Sequence, residues 1–202
     1  MNTTGASPGD APIPAHIDVL ALTGSLRVRS INTDLLHAAS LLAPTGTRVT
    51  VSQTLAELPH FNPDIDEIGA TPPPSVARLR EAVGAAQALL ISCPEYAHGV
   101  AGAFKNLLDW LVSGPEMVGK IVCVLSASEH ATFAPASLVE TLRAMSAVVV
   151  EGGAITIPVN GRRMTADAIA SDVELSAMLR TVLSSVAAAV VESQTSVSAS
   201  NR

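Results

Sequence analysis

Two short segments concentrate the side chains that could do chemistry. In the first, Gly24, Ser25, Arg27, Ser30 and Asn32 fall within nine residues. Serine hydroxyls, a planar guanidinium fork and a carboxamide are donors suited to phosphate oxygens. Ser30 or Asn32 can also cap a helix that starts here, and such a helix turns its free N–H groups and positive end toward the same point. Gly24 permits a tight exit from a strand. The segment has neither the Gly-Lys-Ser/Thr of a P-loop nor a three-glycine dinucleotide fingerprint, so the anion expected is a small terminal phosphate, as in a mononucleotide.

The second segment is Pro94-Glu95-Tyr96-Ala97-His98-Gly99. Pro94 lacks an N–H and biases Cys93 toward an extended backbone. Ala97, Gly99, Ala101 and Gly102 are small enough for backbone N–H groups to approach the edge of a flat ligand. Tyr96 offers a π-face and a hydroxyl, and Glu95 can accept a hydrogen bond or restrain the loop. A helix beginning just beyond would aim its positive end at the site and favour negative charge on a reduced ring. Taken singly, each segment also reads as an ordinary connection, with Ser30 a plain N-cap, Arg27 a solvated charge and Tyr96 a packed ring.

Both segments follow apolar runs, residues 17–22 and 88–91. Helical spacing follows the first run at Ile31, Leu35, Leu36, Ala39 and Leu42, and Pro44 closes it. Residues 47–52 alternate and are β-branched, a strand nearer an edge. Residues 55–74 are proline-rich and aperiodic, hence a long loop, and Val76, Leu79, Val83 and Ala86 mark a second helix. Residues 101–111 carry a third helix, 120–126 a fourth strand, and Leu138, Leu142 and Met145 a fourth helix. A fifth strand spans 147–150, with a resumption at 154–158, and Asn160-Gly161 signals a turn. A long amphipathic helix runs through Leu175, Met178, Leu179, Val182, Val186 and Val190. Strands alternating with helices imply α/β architecture: a five-stranded parallel sheet covered on both faces, a flavodoxin-like three-layer sandwich of order 2-1-3-4-5. Both chemical segments then sit at the carboxyl edge of the sheet, where open α/β sheets bind ligands.

At 202 residues the chain has room for one full core, here residues 16–192. Residues 1–15 and 193–202 lack periodicity and read as disordered tails. No apolar stretch is expected to reach the roughly 18 residues needed to span a bilayer, the N-terminus lacks the pattern of a signal peptide, and a soluble protein with no membrane role is expected. A net charge of −6 without a basic stripe, and 2% aromatics, argue against nucleic acid as a partner. Cys93 and Cys123 both lie in apolar runs and read as buried thiols, which suits a reducing, cytoplasmic location.

Together the motifs resemble the NAD(P)H-dependent FMN reductase family, which includes quinone, chromate and azo-dye reductases. The family pattern Gly-Ser-x-Arg-x-x-Ser-x-Asn appears as Gly24-Ser25-Leu26-Arg27-Val28-Arg29-Ser30-Ile31-Asn32. Pro-Glu-Tyr-Asn followed by small residues and Lys-Asn-x-x-Asp-Trp appears as Pro94-Glu95-Tyr96-Ala97, then Lys105-Asn106-Leu107-Leu108-Asp109-Trp110. Leu58-Pro59-His60-Phe61-Asn62-Pro63 resembles the family loop after the second strand. The resemblance implies an FMN phosphate at Ser25, Arg27, Ser30 and Asn32, and an isoalloxazine beside Pro94, Glu95, Tyr96 and the backbone of Ala97, His98 and Gly99, with Ser126 completing the set. Lys105, Asn106, Asp109 and Trp110 would serve helix packing and subunit contact. Two departures stand out: Ala97 replaces the family Asn, and the loop Ser126-Ala127-Ser128-Glu129-His130-Ala131-Thr132-Phe133 contains no glycine where relatives carry a Gly-rich run.

The implied activity is a two-electron reductase: NADH or NADPH reduces FMN, which passes electrons to a small-molecule acceptor such as free flavin, a quinone, an azo compound or a metal oxyanion. No catalytic triad is needed; His98 and His130 read as solvated loop histidines rather than proton donors. An electron carrier of the flavodoxin type and a flavin-free binding or regulatory relative are the alternatives, the second motivated by the glycine-free loop. A response-regulator receiver is set aside because no acid pair follows the first strand. Relatives cover the flavin with a second subunit, so a homodimer or homotetramer is expected, with Trp110, Leu111 and Val112 as candidate contact residues and simple core burial as the other reading.

Overall fold

The computed structural model describes residues 16–67, 69, 71–159 and 164–200. Three apolar segments become β1 (Ile17–Thr23), β3 (Ala88–Ser92) and β6 (Ile121–Ser126). Every residue of β3 and β6 is buried, as a parallel sheet covered on both faces requires. β2 (Thr47–Val51) forms one edge and β7 (Val148–Thr156) the other, and the order is β2-β1-β3-β6-β7, all parallel. A separate antiparallel hairpin, β4 (Glu95–Tyr96) with β5 (Gly99–Val100), stands where the sequence suggested only a loop. With it set aside, the five main strands follow the expected 2-1-3-4-5 order.

The interrupted fifth strand is one strand with a bulge. Val122 pairs with Val149 but Val124 with Ala154, and the surplus residues of β7 include Glu151 and Gly152 at φ of 56° and 67°.

Side chains alternate across the sheet, so each strand feeds two cores. On one face Val19, Ala21, Leu90 and Cys123 pack with α1 (Ile31–Leu41), α5 (Ala166–Ser171) and α6 (Val173–Ser200). On the other, Leu22, Leu89, Ile91 and Val124 pack with α2 (Pro74–Ala85), α3 (Gly102–Val112) and α4 (Phe133–Ala144). Each fully buried Leu, Val or Phe contributes on the order of 1.5–3 kcal/mol. This two-sided burial fixes the carboxyl ends of β1, β3 and β6 side by side.

Two expectations about the C-terminal region are corrected. The segment 193–202 was expected to be a disordered tail, yet α6 continues to Ser200. No Gly or Pro interrupts it, helix propagation gains one hydrogen bond per added residue, and Thr195 and Ser196 hydroxyls donate back to Val191 O at 2.8 Å and Glu192 O at 3.0 Å. The expected tail 1–15, residues 201–202 and the Asn160-Gly161 turn lie outside the described residues. α6 also contains a 24-residue stretch, Val173–Ser196, long and apolar enough by length and composition to cross a bilayer. The expectation that no apolar stretch reaches that length is thereby corrected. Its apolar stripe, including Leu179, Val182 and Val186, is spent on the core, where each is 3% exposed or less.

Candidate functional site

The chain leaves β1 at Gly24, whose N–H donates to Ser92 O at 2.8 Å. A Cβ on Gly24 would fall 2.4 Å from Cys93 Sγ and 2.9 Å from Cys93 Cα, so the two loops touch through the space a side chain would fill. Beyond it the backbone curls: Ser25 N–H donates to Thr23 Oγ1 at 3.2 Å and Arg27 N–H to Ser25 Oγ at 3.3 Å. Ser30 is the N-cap of α1, its Oγ accepting from Thr33 N at 3.5 Å. Ser25 and Ser30 are buried. Arg27 is exposed, and none of the ion pairs among the described residues uses it. Its guanidinium, the serine hydroxyls and the first-turn N–H groups of α1 form a donor set, and Asp34 is the acidic residue of that turn.

Asn32 has a second task that spacing did not reveal. Its Oδ1 accepts from the Ser92 hydroxyl at 2.9 Å, and both residues are buried. With Oδ1 taken, the amide nitrogen is the end left for a ligand.

The Pro94–Gly99 segment is the hairpin β4–β5. Its two central residues, Ala97 and His98, have φ of 49° and 58°. Positive φ at both positions is the sign pattern of a type I′ turn, for which Asn-Gly is the favoured pair. Alanine and a β-substituted imidazole hold it here at a cost of about 1–2 kcal/mol each. Glu95, expected beside the flavin ring or as a restraint on its loop, lines the cleft, and its Oε2 accepts from Phe133 N–H and Ala134 N–H, each at 2.9 Å. α4 has no capping side chain of its own at Thr132, so the Glu95 carboxylate satisfies its first amides and meets its positive end. The His98 ring stacks on Phe133, centroids 4.3 Å apart and planes inclined by 20°. Tyr96 is half exposed.

The third edge is the segment after β6. Ser126 Oγ donates to Ser128 O at 2.8 Å and Ser128 Oγ accepts from His130 N–H at 3.2 Å. These serine-backbone bonds give a compact turn without glycine. The three edges enclose a cleft of about 400 Å³ lined by Asn32, Pro94, Glu95, Ser126, Ser128 and His130, among others. Of the residues singled out from sequence, Asn32, Pro94, Glu95 and Ser126 line this cleft. Ser25, Arg27 and Ser30 precede it at the start of α1, and Tyr96, Ala97, His98 and Gly99 form the adjoining hairpin. Ser128, His130 and Phe133 were not chosen; only the position of their loop after a central strand marked them. Cys93 also lines the cleft, but burial pushes its thiol up to about 11, so it is a neutral packing group rather than a nucleophile.

A second cleft, about 370 Å³, lies at the amino edge near Gln87, Glu116 and Lys120. It is bounded by the C-terminal parts of α2 and α6, whose dipoles repel anions, and Lys120 donates there to Ala86 O at 2.5 Å.

Asn106 and Trp110 anchor the proline-rich loop. Both donate to Pro59 O at 2.9 Å, Phe61 N–H donates to Asn106 Oδ1 at 2.7 Å, and the Phe61 ring meets Trp110 edge-on at 5.1 Å. Trp110 and Leu111 are 0% and 1% exposed within one chain, so they are core residues and not subunit contacts; Val112 is 62% exposed.

A doubly wound parallel sheet of order β2-β1-β3-β6-β7 with a cleft at its carboxyl edge defines a flavodoxin-like fold. Within it, the sequence model of the family described as NADPH-dependent FMN reductase matches residues 17–160, and the chain belongs to that family. An NAD(P)H-dependent FMN reductase of Pseudomonas aeruginosa is 40% identical over 114 residues, covering 55% of this chain and 60% of that protein. A quinone reductase of Escherichia coli K12 is 31% identical over 114 residues, with the same shares. The chain thus spans about 60% of the length of these curated relatives. The solved structure of FerB, a flavoenzyme NAD(P)H:(acceptor) oxidoreductase from Paracoccus denitrificans, superposes with a TM-score of 0.69 at 25% identity, covering 87% of this chain and 98% of that one.

Proposed function

We propose that this protein is an NAD(P)H-dependent flavin reductase that holds FMN at the carboxyl edge of its sheet and reduces a small acceptor of the quinone type. One observation carries the reading: a cleft of about 400 Å³ opens at the carboxyl edge with Ile31 and Asn32 of the opening turn of α1 in its lining, and Arg27, shortly before that turn in the chain, enters none of the ion pairs among the described residues. The residues present fit FMN. The donor set is all hydroxyl, guanidinium and amide, as a phosphate dianion needs, and the hairpin beside the cleft offers backbone and small side chains to a flat ring.

In this reading Ser25, Arg27, Ser30 and the Asn32 amide nitrogen hold the phosphate. Pro94, Tyr96, Ala97, His98, Gly99 and Ser126 border the ring, and Glu95 borders it while bound to α4. FMN bound there would supply the redox chemistry, carrying a hydride equivalent from NADH or NADPH to an acceptor that takes up its protons from water. The protein orients the partners and keeps the positive ends of α1 and α3 on the ligand side. The relatives named for FMN and quinone reduction support this over a carrier role, as does the NAD(P)H dependence in the name of the first. A homodimer or homotetramer closing the cleft is part of the proposal; the exposed rings of Tyr96 and Phe133 and the exposed Val112 support it, and a cytoplasmic site of action suits two buried neutral thiols.

The test is anaerobic stopped-flow mixing of the FMN-loaded protein with NADPH and NADH, followed by a benzoquinone. Rapid bleaching at 450 nm (on the order of the usual flavin band) and return of colour with quinone are expected. A loaded protein that neither nicotinamide bleaches would instead be a carrier.

A further inference from the structure

The Glu95 carboxylate reaches across 38 residues of sequence to the opening turn of α4, where no residue of that helix caps it. Both first-turn amides, of Phe133 and Ala134, donate to the same oxygen at 2.9 Å. The same hairpin makes a second attachment to the same turn, the His98–Phe133 ring stack. Between the two attachments lie Tyr96 and the left-handed Ala97, and His98 is itself left-handed. Histidine tolerates that conformation better than most side chains, but alanine does not favour it. A two-residue turn with positive φ at both centres and Ala97 at the first is strained, and contacts from outside help to hold it.

We propose that Glu95 is a positioning residue: it latches the β4–β5 hairpin to α4, and that latch presets the wall of the flavin-ring cleft. This rests on the proposed function for what the wall binds, but the latch is a property of the chain alone. It also answers the missing glycine-rich run. Where relatives are expected to shape the third edge with glycine backbone, this chain draws α4 and the hairpin together with one carboxylate and one pair of rings. The role needs a side chain of glutamate's length that accepts two hydrogen bonds. The charge adds its attraction to the positive end of α4, but the two hydrogen bonds carry the latch. Glutamine keeps length and one carbonyl oxygen with two lone pairs; aspartate keeps the charge but is one methylene short.

The experiment compares Glu95→Gln, Glu95→Asp and Glu95→Ala. Two quantities are read: hydrogen exchange at the Phe133 and Ala134 amides without flavin, and FMN dissociation constants from quenching of flavin fluorescence, with far-UV circular dichroism as the check of fold. Expected are exchange at both amides and FMN affinity within about threefold of the starting protein for E95Q, and, for E95D and E95A, loss of protection with FMN binding roughly tenfold weaker. E95D guards against a truncation that merely fails to fold, because it retains a charged, solvent-compatible hairpin. If E95D binds FMN normally while E95Q does not, the charge matters and the latch is overturned. Unchanged amide exchange in E95A overturns it as well. A starting protein that binds no FMN, yet loses protection in E95A, keeps the latch and removes the flavin reading.

Discussion

The Ser92 hydroxyl donates to Asn32 Oδ1 at 2.9 Å, joining the last residue of β3 to the first turn of α1. One strand lower in the same contact, Ser92 O accepts from Gly24 N–H. The loop after β1, where the proposed phosphate donors lie, and the loop after β3, the proposed ring wall, are thus fixed to each other through a single buried residue. Ser92→Ala leaves the Asn32 carbonyl buried without its donor, which costs about 1–3 kcal/mol. Urea unfolding should show that loss, and FMN titration should show weaker binding, because the Asn32 amide is no longer aimed.

Arg27 behaves differently. It is exposed and enters no ion pair among the described residues, so Arg27→Ala should leave the unfolding midpoint where it is. FMN affinity should fall by roughly 1.5–3 kcal/mol, the worth of a charge-assisted hydrogen bond. Riboflavin, which has no phosphate, should bind the variant and the parent alike. An R27A protein that lost stability but kept FMN affinity would mark the arginine as structural.

Ala97 sits at φ 49° without being Asn or Gly. Asparagine tolerates that region better and can bond to its own backbone. Ala97→Asn should therefore raise the stability of the protein by some tenths up to about 1 kcal/mol, read as a higher denaturation midpoint.

The two thiols set an alkaline limit. Burial raises Cys93 from 9.0 to about 11 and Cys123 from 9.0 to about 12, with Glu151 adding to the second shift. Above pH 9 the unfolded chain loses these protons while the folded chain keeps them, so stability is full below that pH and declines as pH rises toward the folded values. The slope is on the order of 1 kcal/mol per pH unit for each thiol. Denaturation midpoints between pH 8 and pH 11 should drop more steeply in the parent protein than in Cys123→Ala.

The fold was legible because residues 19–22, 88–91 and 121–125 are apolar throughout and alternate with helical spacing, as strands of a sheet covered on both faces do. The donors before α1 were legible because their chemistry is local: a strand exit, a cap and a cation within nine residues. Glu95 was not. Its partners, Phe133 and Ala134, lie far along the chain, and a glutamate two residues past a strand looks equally suited to a ligand or a helix end. Asn32 was half legible, since pattern supplied its place in α1 but only packing brought Ser92 to it. Trp110 was ambiguous for the same reason: helical spacing puts it on a face, and only the returning Pro59 carbonyl makes that face interior. The polar C-terminal segment misled because serine and threonine were weighed by composition, whereas an anchored helix satisfies their hydroxyls along its own backbone.

The central claim is that an anionic nucleotide tail is held where β1 passes into α1. Parallel titrations of the purified protein with FMN and with riboflavin test it most directly. FMN should bind at one per chain and at least tenfold more tightly than riboflavin, the margin shrinking as salt is raised. Equal affinity for the two flavins, or no binding of either, would contradict the account.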